Sequence, residues 1–310
     1  MPEEAPKKRM LTFTLHLMGR FLLFFAILLF IGFALHSKMT ESLNHEAEKF
    51  STRQGELLSF VYHNLFRAEM AELNKAANLI AAGKITPTDG VQAISSQGQQ
   101  GGLLDINGNS LIGIALPEKA RLQCARTLQG EPSWRYYKDM GLVAMVPVYE
   151  GPAVRYVLCK LYTDTGLQDG TSPFHFSAQK EDEKVLLYDT ATQQVIVPFQ
   201  DYRESPFYDA AKNAPLGLDK LLEKLSSGQE ADVSIFDPDL NADYMLSAAP
   251  IPDTPFLAIG YREWRSLMTG ITNIHLIVLW VFGLLVVLFC VFILYSFANQ
   301  VAAEESPALR

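Results

Sequence analysis

The 310-residue chain carries 26 Lys+Arg against 34 Asp+Glu, a formal charge of −8, and is 49% hydrophobic but only 19% charged. Soluble domains carry about 25% charged residues, so part of the apolar content answers to lipid, which excludes an ordinary cytosolic protein. The acidic balance without a long basic run excludes a nucleic-acid binder, and three cysteines are too few for a disulfide framework or a four-ligand zinc site.

Residues 1–14 read as a cytoplasmic N-terminus and residues 15–36 as a first transmembrane helix. Phe21 to Leu35 runs without a charge, and Leu11 to Gly19 before it is mostly apolar. Crossing a bilayer takes about 20 helical residues, so Arg20 lies inside one interface and snorkels to the headgroups. Lys7, Lys8, Arg9 and Arg20 hold that end in the cytoplasm. A signal peptide is the competing reading, with Lys7-Lys8-Arg9 as its basic region. Its apolar core is about 7–15 residues, shorter than this block. Residues 271–298 read as the second transmembrane helix, because Leu276 to Ala298 holds no charged side chain, and residues 299–310 read as a cytoplasmic tail. The segment 37–270, with 21 basic and 30 acidic residues, is then extracytoplasmic, on the outer side of the cell's inner membrane.

Residues 37–84 open that segment as a stalk helix. From Lys38 to Gly83 there is no proline and, before the closing Gly83, one glycine, Gly55, while Met39, Leu43, Ala47, Phe50, Leu57, Val61, Leu65, Ala68, Leu73, Ala76 and Ile80 fall mostly three or four apart. This is the spacing of an amphipathic helix about 69 Å long, closed by Gly83. Two shorter helices broken at Gly55 are the alternative.

A polar loop, Thr86 to Gly102, leads into strands. Leu103 to Gly113 reads as a hairpin in which Asn107-Gly108 supplies positive φ angles. Pro117 to Leu128 reads as helical. Leu142 to Tyr149 and Ala153 to Tyr162 read as a second hairpin around Glu150-Gly151-Pro152. The same pattern repeats: Val185 to Asp189 with Gln194 to Phe199, a helix from Leu216 to Leu225, then Tyr244 to Ile251 with Pro255 to Tyr261. Asp105 and Asp189 hold equivalent turn positions, and Pro147-Val148 corresponds to Pro250-Ile251. Residues 85–170 and 171–270 are therefore two copies of one α+β unit, each an antiparallel sheet flanked by helices.

A stalk helix and two tandem sheet modules between two membrane spans resemble the double Cache, PAS-like sensor region of bacterial transmembrane receptors. The residues that carry this are Leu104-Asp-Ile-Asn-Gly108, Val146-Pro-Val-Tyr-Glu-Gly151, Tyr156-Val-Leu-Cys-Lys-Leu-Tyr162, and Ala249-Pro-Ile-Pro-Asp-Thr-Pro-Phe256 with its run into Trp264. The resemblance implies a homodimeric receptor that detects a small-molecule ligand outside the membrane, in the membrane-distal module, and signals through its spans. The implied output is a hybrid sensor histidine kinase of a two-component system, or alternatively a diguanylate cyclase. Asn299 to Arg310 are too few for either catalytic domain, so the chain reads as the N-terminal part of a longer receptor or as signalling to a separate partner. A membrane-anchored envelope docking protein without an output enzyme is a further alternative.

No enzyme is expected within these residues: hydrolase elbow, nucleotide loop and zincin motifs are all absent. No cofactor or metal is expected, since the six histidines are scattered, and His45 reads as a solvated stalk residue. Cys124 and Cys159 leave two readings open, a disulfide or, because Cys159 alternates with Val157 and Leu161, a buried free thiol.

The ligand candidates are Trp134, Arg135, Tyr136 and Tyr137, which lie between the first module's helix and its second hairpin. Together they offer a cation, flat faces and hydroxyl donors suited to a carboxylate or other small polar solute. On the following hairpin Tyr156, Leu158, Lys160 and Tyr162 share one face. If that face meets the pocket, Tyr156 and Tyr162 line it and Lys160 complements an anion; otherwise the tyrosines pack under a helix and Lys160 is solvated. Asp105 and Asp189 read as turn residues bonding their own backbone.

Overall fold

The computed structural model describes residues 4–117, 121, 124–138, 140–168, 172–174, 183–198, 202–205, 207–227, 231–237, 242–265, 280–293 and 295. Of these, the side chains at 4–22, 24, 25, 28, 29, 35, 36, 43, 125, 183 and 237 lie outside the description. The chain divides into two compact units, residues 1–47 with 268–310, and residues 48–267.

In the first unit, residues 4–47 are the N-terminal part of α1 (Glu4–Ala81) and residues 280–293 are helical. Gly32 meets the ring of Phe282, where an added Cβ would lie 3.1 Å from Phe282 Cε1. Among the described residues no helix is long and apolar enough to cross a membrane. Residues 271–279, 294 and 296–298 of the expected second span, and the side chains at 15–22 of the first, lie outside the described set.

The second unit is built on the rest of α1, which continues without a break to Ala81. Gly55 is not a breaker. It is buried where the helix approaches β11 (Ala242–Pro250), and a Cβ there would sit 3.3 Å from Ser247 Cβ. The helix ends where Gly83 takes φ +65° and Lys84 N–H donates to the Leu79 carbonyl, satisfying a carbonyl the helix leaves open. α2 (Pro87–Ala93) starts at once under a capping box from Thr86 and Asp89.

The first sheet contains β1 (Gln99–Leu104), β2 (Ser110–Gly113), β3 (Ser133–Tyr137), β4 (Gly141–Glu150) and β5 (Ala153–Thr163) in the order β2-β1-β5-β4-β3, all antiparallel. Between β2 and β3 lies α3 (Ala125–Leu128), and α4 (Asp164–Gln168) follows β5. Of the helix expected over 117–128, residues 118–120, 122 and 123 lie outside the described set. At the β1–β2 turn only Gly108 has positive φ, and a register shift follows at Leu103/Leu104. The turn is instead held by Asp105, whose Oδ1 accepts from the Asn107 and Asn109 backbone amides at 2.8 Å each.

The second sheet contains β6 (Glu183–Asp189), β7 (Gln194–Val197), β10 (Asp232–Asp237), β11 and β12 (Phe256–Glu263) in the order β10-β11-β12-β6-β7. This is the first sheet's order exactly renumbered, so the repeat read from the hairpins holds at the level of topology. The small pair β8 (Tyr208–Asp209) and β9 (Ala214–Pro215) and then α5 (Leu218–Ser226) lie between β7 and β10. Asp189 repeats the role of Asp105, accepting from Ala191 N–H at 2.9 Å and from the Thr192 hydroxyl at 2.8 Å.

Each sheet has an inner face toward α1 and an outer face. One core runs under α1 across both modules, joining Tyr62, Phe66 and Leu73 of α1 to Trp134, Tyr162, Phe174, Leu187 and Phe256. Separate cores fill the outer faces: Leu104, Val143, Met145, Val157, Cys159 and Leu161 on the first sheet, and Tyr188, Phe207, Leu221, Val233, Leu246 and Tyr261 on the second.

Candidate functional site

β3 pairs only with β4, and its period of two divides the candidate residues between the two faces of the sheet. Trp134 and Tyr136 join the inner core. Arg135, paired across the ladder with the outer-face residue Val143, points the other way, and so does Tyr137, which packs on the outer core. On β5 the alternation read from the sequence holds: Tyr156, Leu158 and Tyr162 are on the α1 side, and Val157, Cys159 and Leu161 are outside.

The inner-face residues are engaged with protein. Trp134, 5% exposed, meets Phe66 edge-on at 4.7 Å and lies 6.0 Å from Tyr162 and 5.8 Å from Phe174. The Tyr136 hydroxyl donates to Asp164 at 3.2 Å, and Tyr156 lies 5.2 Å beneath the Arg155 guanidinium. Tyr162 is fully buried and its hydroxyl donates to the Glu69 carboxylate of α1. Burial, and next the Glu69 charge, push the Tyr162 hydroxyl far above the usual phenol range.

Lys160 does not stand in solvent, and the anions it meets are carboxylates of α1. Its Nζ lies 2.8 Å from Glu69 Oε2 and 3.6 Å from Glu72 Oε2, with the side chain 5% exposed. The reason is position: β5 is the central strand, and its inner face lies directly beneath α1, so a lysine there needs a carboxylate from the helix.

On the outer face, Arg135 Nε and the Tyr137 hydroxyl are buried and have no hydrogen-bond partner among the described residues. Burial is the main cause that raises the Tyr137 pKa well above its ordinary value, so this hydroxyl stays protonated and able to donate. At the other end of β3, the Thr127 and Ser133 hydroxyls bond each other at 2.7 Å. Cys124 and Cys159 are both free thiols. Cys124 Sγ lies 3.6 Å from Met145 Sδ, and Cys159 Sγ donates to the Gly102 carbonyl at 3.3 Å. Burial raises both, Cys159 to about 12, which makes them unreactive core residues.

The second module differs at the equivalent place. β10 corresponds to β3, and its outer-face residues are Val233 and Ile235. Aromatic rings fill the space beyond, with Phe207 4.5 Å from Tyr261 and 4.7 Å from Tyr244. At the two strand positions themselves the second module carries hydrocarbon where the first carries Arg135 and Tyr137, while the Tyr202 and Tyr261 hydroxyls are buried elsewhere in its outer core. No group of three or more His, Cys, Asp or Glu among the described residues is placed to hold a metal ion.

The residues that sequence reasoning missed are Glu69 and the strand character of 133–137. The alternation of Trp134 and Tyr136 with Ser133 and Arg135 was a period-two signal. Glu69 carried no local signal, because its partner is 91 residues away.

The extracellular domain of a protein named as a histidine kinase, rpHK1S-Z16, superposes with a TM-score of 0.51 at 10% identity, covering 73% of this chain and 98% of that one. The ligand-binding domain of the Pseudomonas fluorescens chemoreceptor CtaA, in complex with L-isoleucine, gives 0.50 at 11% identity over 74% and 98%. That of the Campylobacter jejuni chemoreceptor Tlp3, in complex with 4-methylisoleucine, gives 0.50 at 13% over 73% and 94%. The fold is of the double Cache type. No protein-family model and no curated protein matches the chain. At these identities the likeness is one of architecture, and the double Cache framework places Arg135 and Tyr137 in its first module, Val233 and Ile235 in its second.

Proposed function

We infer that this chain is the extracytoplasmic ligand-sensing and transmembrane signalling region of a bacterial receptor. The observation that carries this is the sensor-type fold together with two buried donors, Arg135 Nε and Tyr137 OH, that have no hydrogen-bond partner among the described residues on the outer face of its first module. Buried polar groups in a finished interior are paired, and a pair left open on one face calls for a ligand that supplies the acceptors. Two structural neighbours carry amino acids in their ligand-binding domains, which supports a small-molecule ligand for the distal module.

In this reading residues 15–36 and 271–298 cross the inner membrane, both termini are cytoplasmic, and residues 37–270 stand outside. The output is a histidine kinase, in line with the neighbour named as one, and catalysis belongs to that output. The receptor is a homodimer joined along α1, where Phe50, Leu57 and Phe60 are each more than half exposed at spacings of seven and three. A ligand biases such a dimer only through its differential affinity for two arrangements, typically worth about 1–3 kcal/mol.

The topology is tested by replacing Ile106, exposed at the β1–β2 turn, with cysteine in a Cys290→Ser background. An impermeant maleimide should label it on intact wall-stripped cells. Labelling only after lysis would remove the extracytoplasmic assignment, and the sensor reading with it.

A further inference from the structure

α1 turns one side, with Tyr62, Phe66, Leu73 and Ile80, to the sheets and leaves the opposite side in solvent. On that outer side the residues that recur at threes and fours from Phe50 are Arg53, Leu57 and Phe60, then Asn64, Arg67 and Ala71, then Lys75 and Asn78, all of them exposed. Two copies crossing one membrane in the same direction have parallel α1 helices. A two-fold axis between parallel helices brings each residue of the seam against its own copy, so every stretch of the seam has to suit itself.

The membrane-proximal stretch does. Phe50, Leu57 and Phe60 set hydrocarbon against hydrocarbon, and Arg53 with Glu56 brings both signs of charge to the contact from each copy. Above Phe60 the chemistry changes. Asn64, Ala71 and Asn78 hold the places that Phe50 and Leu57 hold below, seven residues apart, and the charges among them are Arg67 and Lys75. Between Val61 and Lys84 the only carboxylates are Glu69 and Glu72, and both engage Lys160 of β5. Arg67 and Lys75 would therefore face their own copies without a counter-charge, and like charges set opposite each other repel.

Shape points the same way. An open groove of about 560 Å³ runs along this stretch, lined by Ala71, Asn74, Lys75, Asn78, Ala82 and Lys84. A groove on a two-fold seam meets the same groove, and short side chains on both sides leave their contacts unmade. From Lys38 to Ala81 the helix is continuous and has no proline to kink it toward a partner.

We propose that two copies of this chain pair through the Phe50–Phe60 stretch of α1 and diverge above Asn64, leaving their first modules apart and the distal groove of each copy open. The divergence deepens the dimer inferred above and rests on it. Each first module is then free to change the angle between its own α1 and the partner's, which supplies the two arrangements that a ligand has to discriminate.

The test is double electron–electron resonance on the full chain in lipid nanodiscs, in a Cys290→Ser background, with a nitroxide attached after Arg53→Cys or after Ala81→Cys. Cys124 and Cys159 are fully buried and stay unlabelled. The two label positions are exposed and four whole heptads apart, so they share one place on the seam. They are separated by about 42 Å of helix, which a crossing angle of about 20° opens by about 15 Å. The Ala81→Cys pair should accordingly be about 15 Å farther apart than the Arg53→Cys pair. Asn64→Leu, Arg67→Leu, Ala71→Leu and Asn78→Leu together, which continue the apolar seam upward, should bring the Ala81→Cys pair in to the Arg53→Cys distance. Equal distances at the two positions without those leucines overturn the divergence and leave the dimer standing. Absence of dipolar coupling at Arg53→Cys overturns the dimer itself. An Ala81→Cys distance that stays long in the quadruple leucine variant overturns the α1 surface as the cause of the divergence.

Discussion

The ring of Trp134 meets that of Phe66 edge-on, with centroids 4.7 Å apart and planes at 78°. Phe66 also lies 4.7 Å from Phe174 and 5.3 Å from Phe256, so one α1 side chain touches the first sheet, the segment after α4 and the second sheet. Trp134 is consecutive with Arg135 on an edge strand with a single neighbour, which puts the ligand candidate and this aromatic junction one residue apart on opposite faces. Phe66→Ala should therefore cost about 3–5 kcal/mol, the range for emptying a buried aromatic site. Thermal unfolding of the full chain in nanodiscs, followed by tryptophan fluorescence, measures it.

The Lys160–Glu69 pair gives a second prediction. Removing one member leaves the other charge buried and should cost about 3–5 kcal/mol, whereas replacing the whole group with hydrocarbon removes that penalty. Lys160→Met should thus be more damaging than the triple variant Lys160→Met, Glu69→Leu, Tyr162→Phe, which also removes the hydroxyl that donates to Glu69. Equal losses in denaturant titrations would show that the pair is not coupled.

Alkaline stability follows from the buried thiol. Cys159 ordinarily ionises at 9.0, and burial lifts it to about 12 in the folded chain. Between those values the folded state holds a proton that the unfolded state has released. The contribution is therefore complete below pH 9.0 and is lost as pH rises toward about 12. The buried Tyr62, Tyr137 and Tyr162 hydroxyls, also raised by burial, act in the same direction above their ordinary 10.0. Cys159→Ala should flatten the decline in melting temperature across this window. An unchanged slope would assign the decline to the tyrosines alone.

Gly55 separates two effects of size. Alanine gains about 1 kcal/mol of helix propensity against a contact with Ser247 Cβ at 3.3 Å, so Gly55→Ala should be close to neutral. Gly55→Leu has no room and should cost about 1–3 kcal/mol through overpacking. A stable Gly55→Leu chain would mean that α1 does not approach β11 this closely.

The exposed α1 positions test association. Phe60→Cys, in a Cys290→Ser background, should give a covalent dimer with a short bis-maleimide in membranes, and Leu57→Asp should suppress it. Crosslinking that persists unchanged in Leu57→Asp would locate the contact elsewhere.

Much of this architecture was legible in the sequence. The three-and-four spacing from Met39 to Ile80 showed α1, and the paired hairpins showed the duplication, because both signals are local. What was hidden was set by distant partners. Lys160 reads as a surface lysine until Glu69 is placed above it. Nothing in Ser133–Tyr137 says which of its two faces will meet a helix, so Trp134 and Arg135 looked like one cluster. Gly55 left two shorter helices open as an alternative because its reason, Ser247, is 192 residues further on.

The shared interior around Phe66 has a thermodynamic consequence. With no seam of its own between the sheets, the region should melt in a single calorimetric peak, and molecules captured at Arg135 should raise the resistance of the β10–β12 sheet to heat although they never touch it.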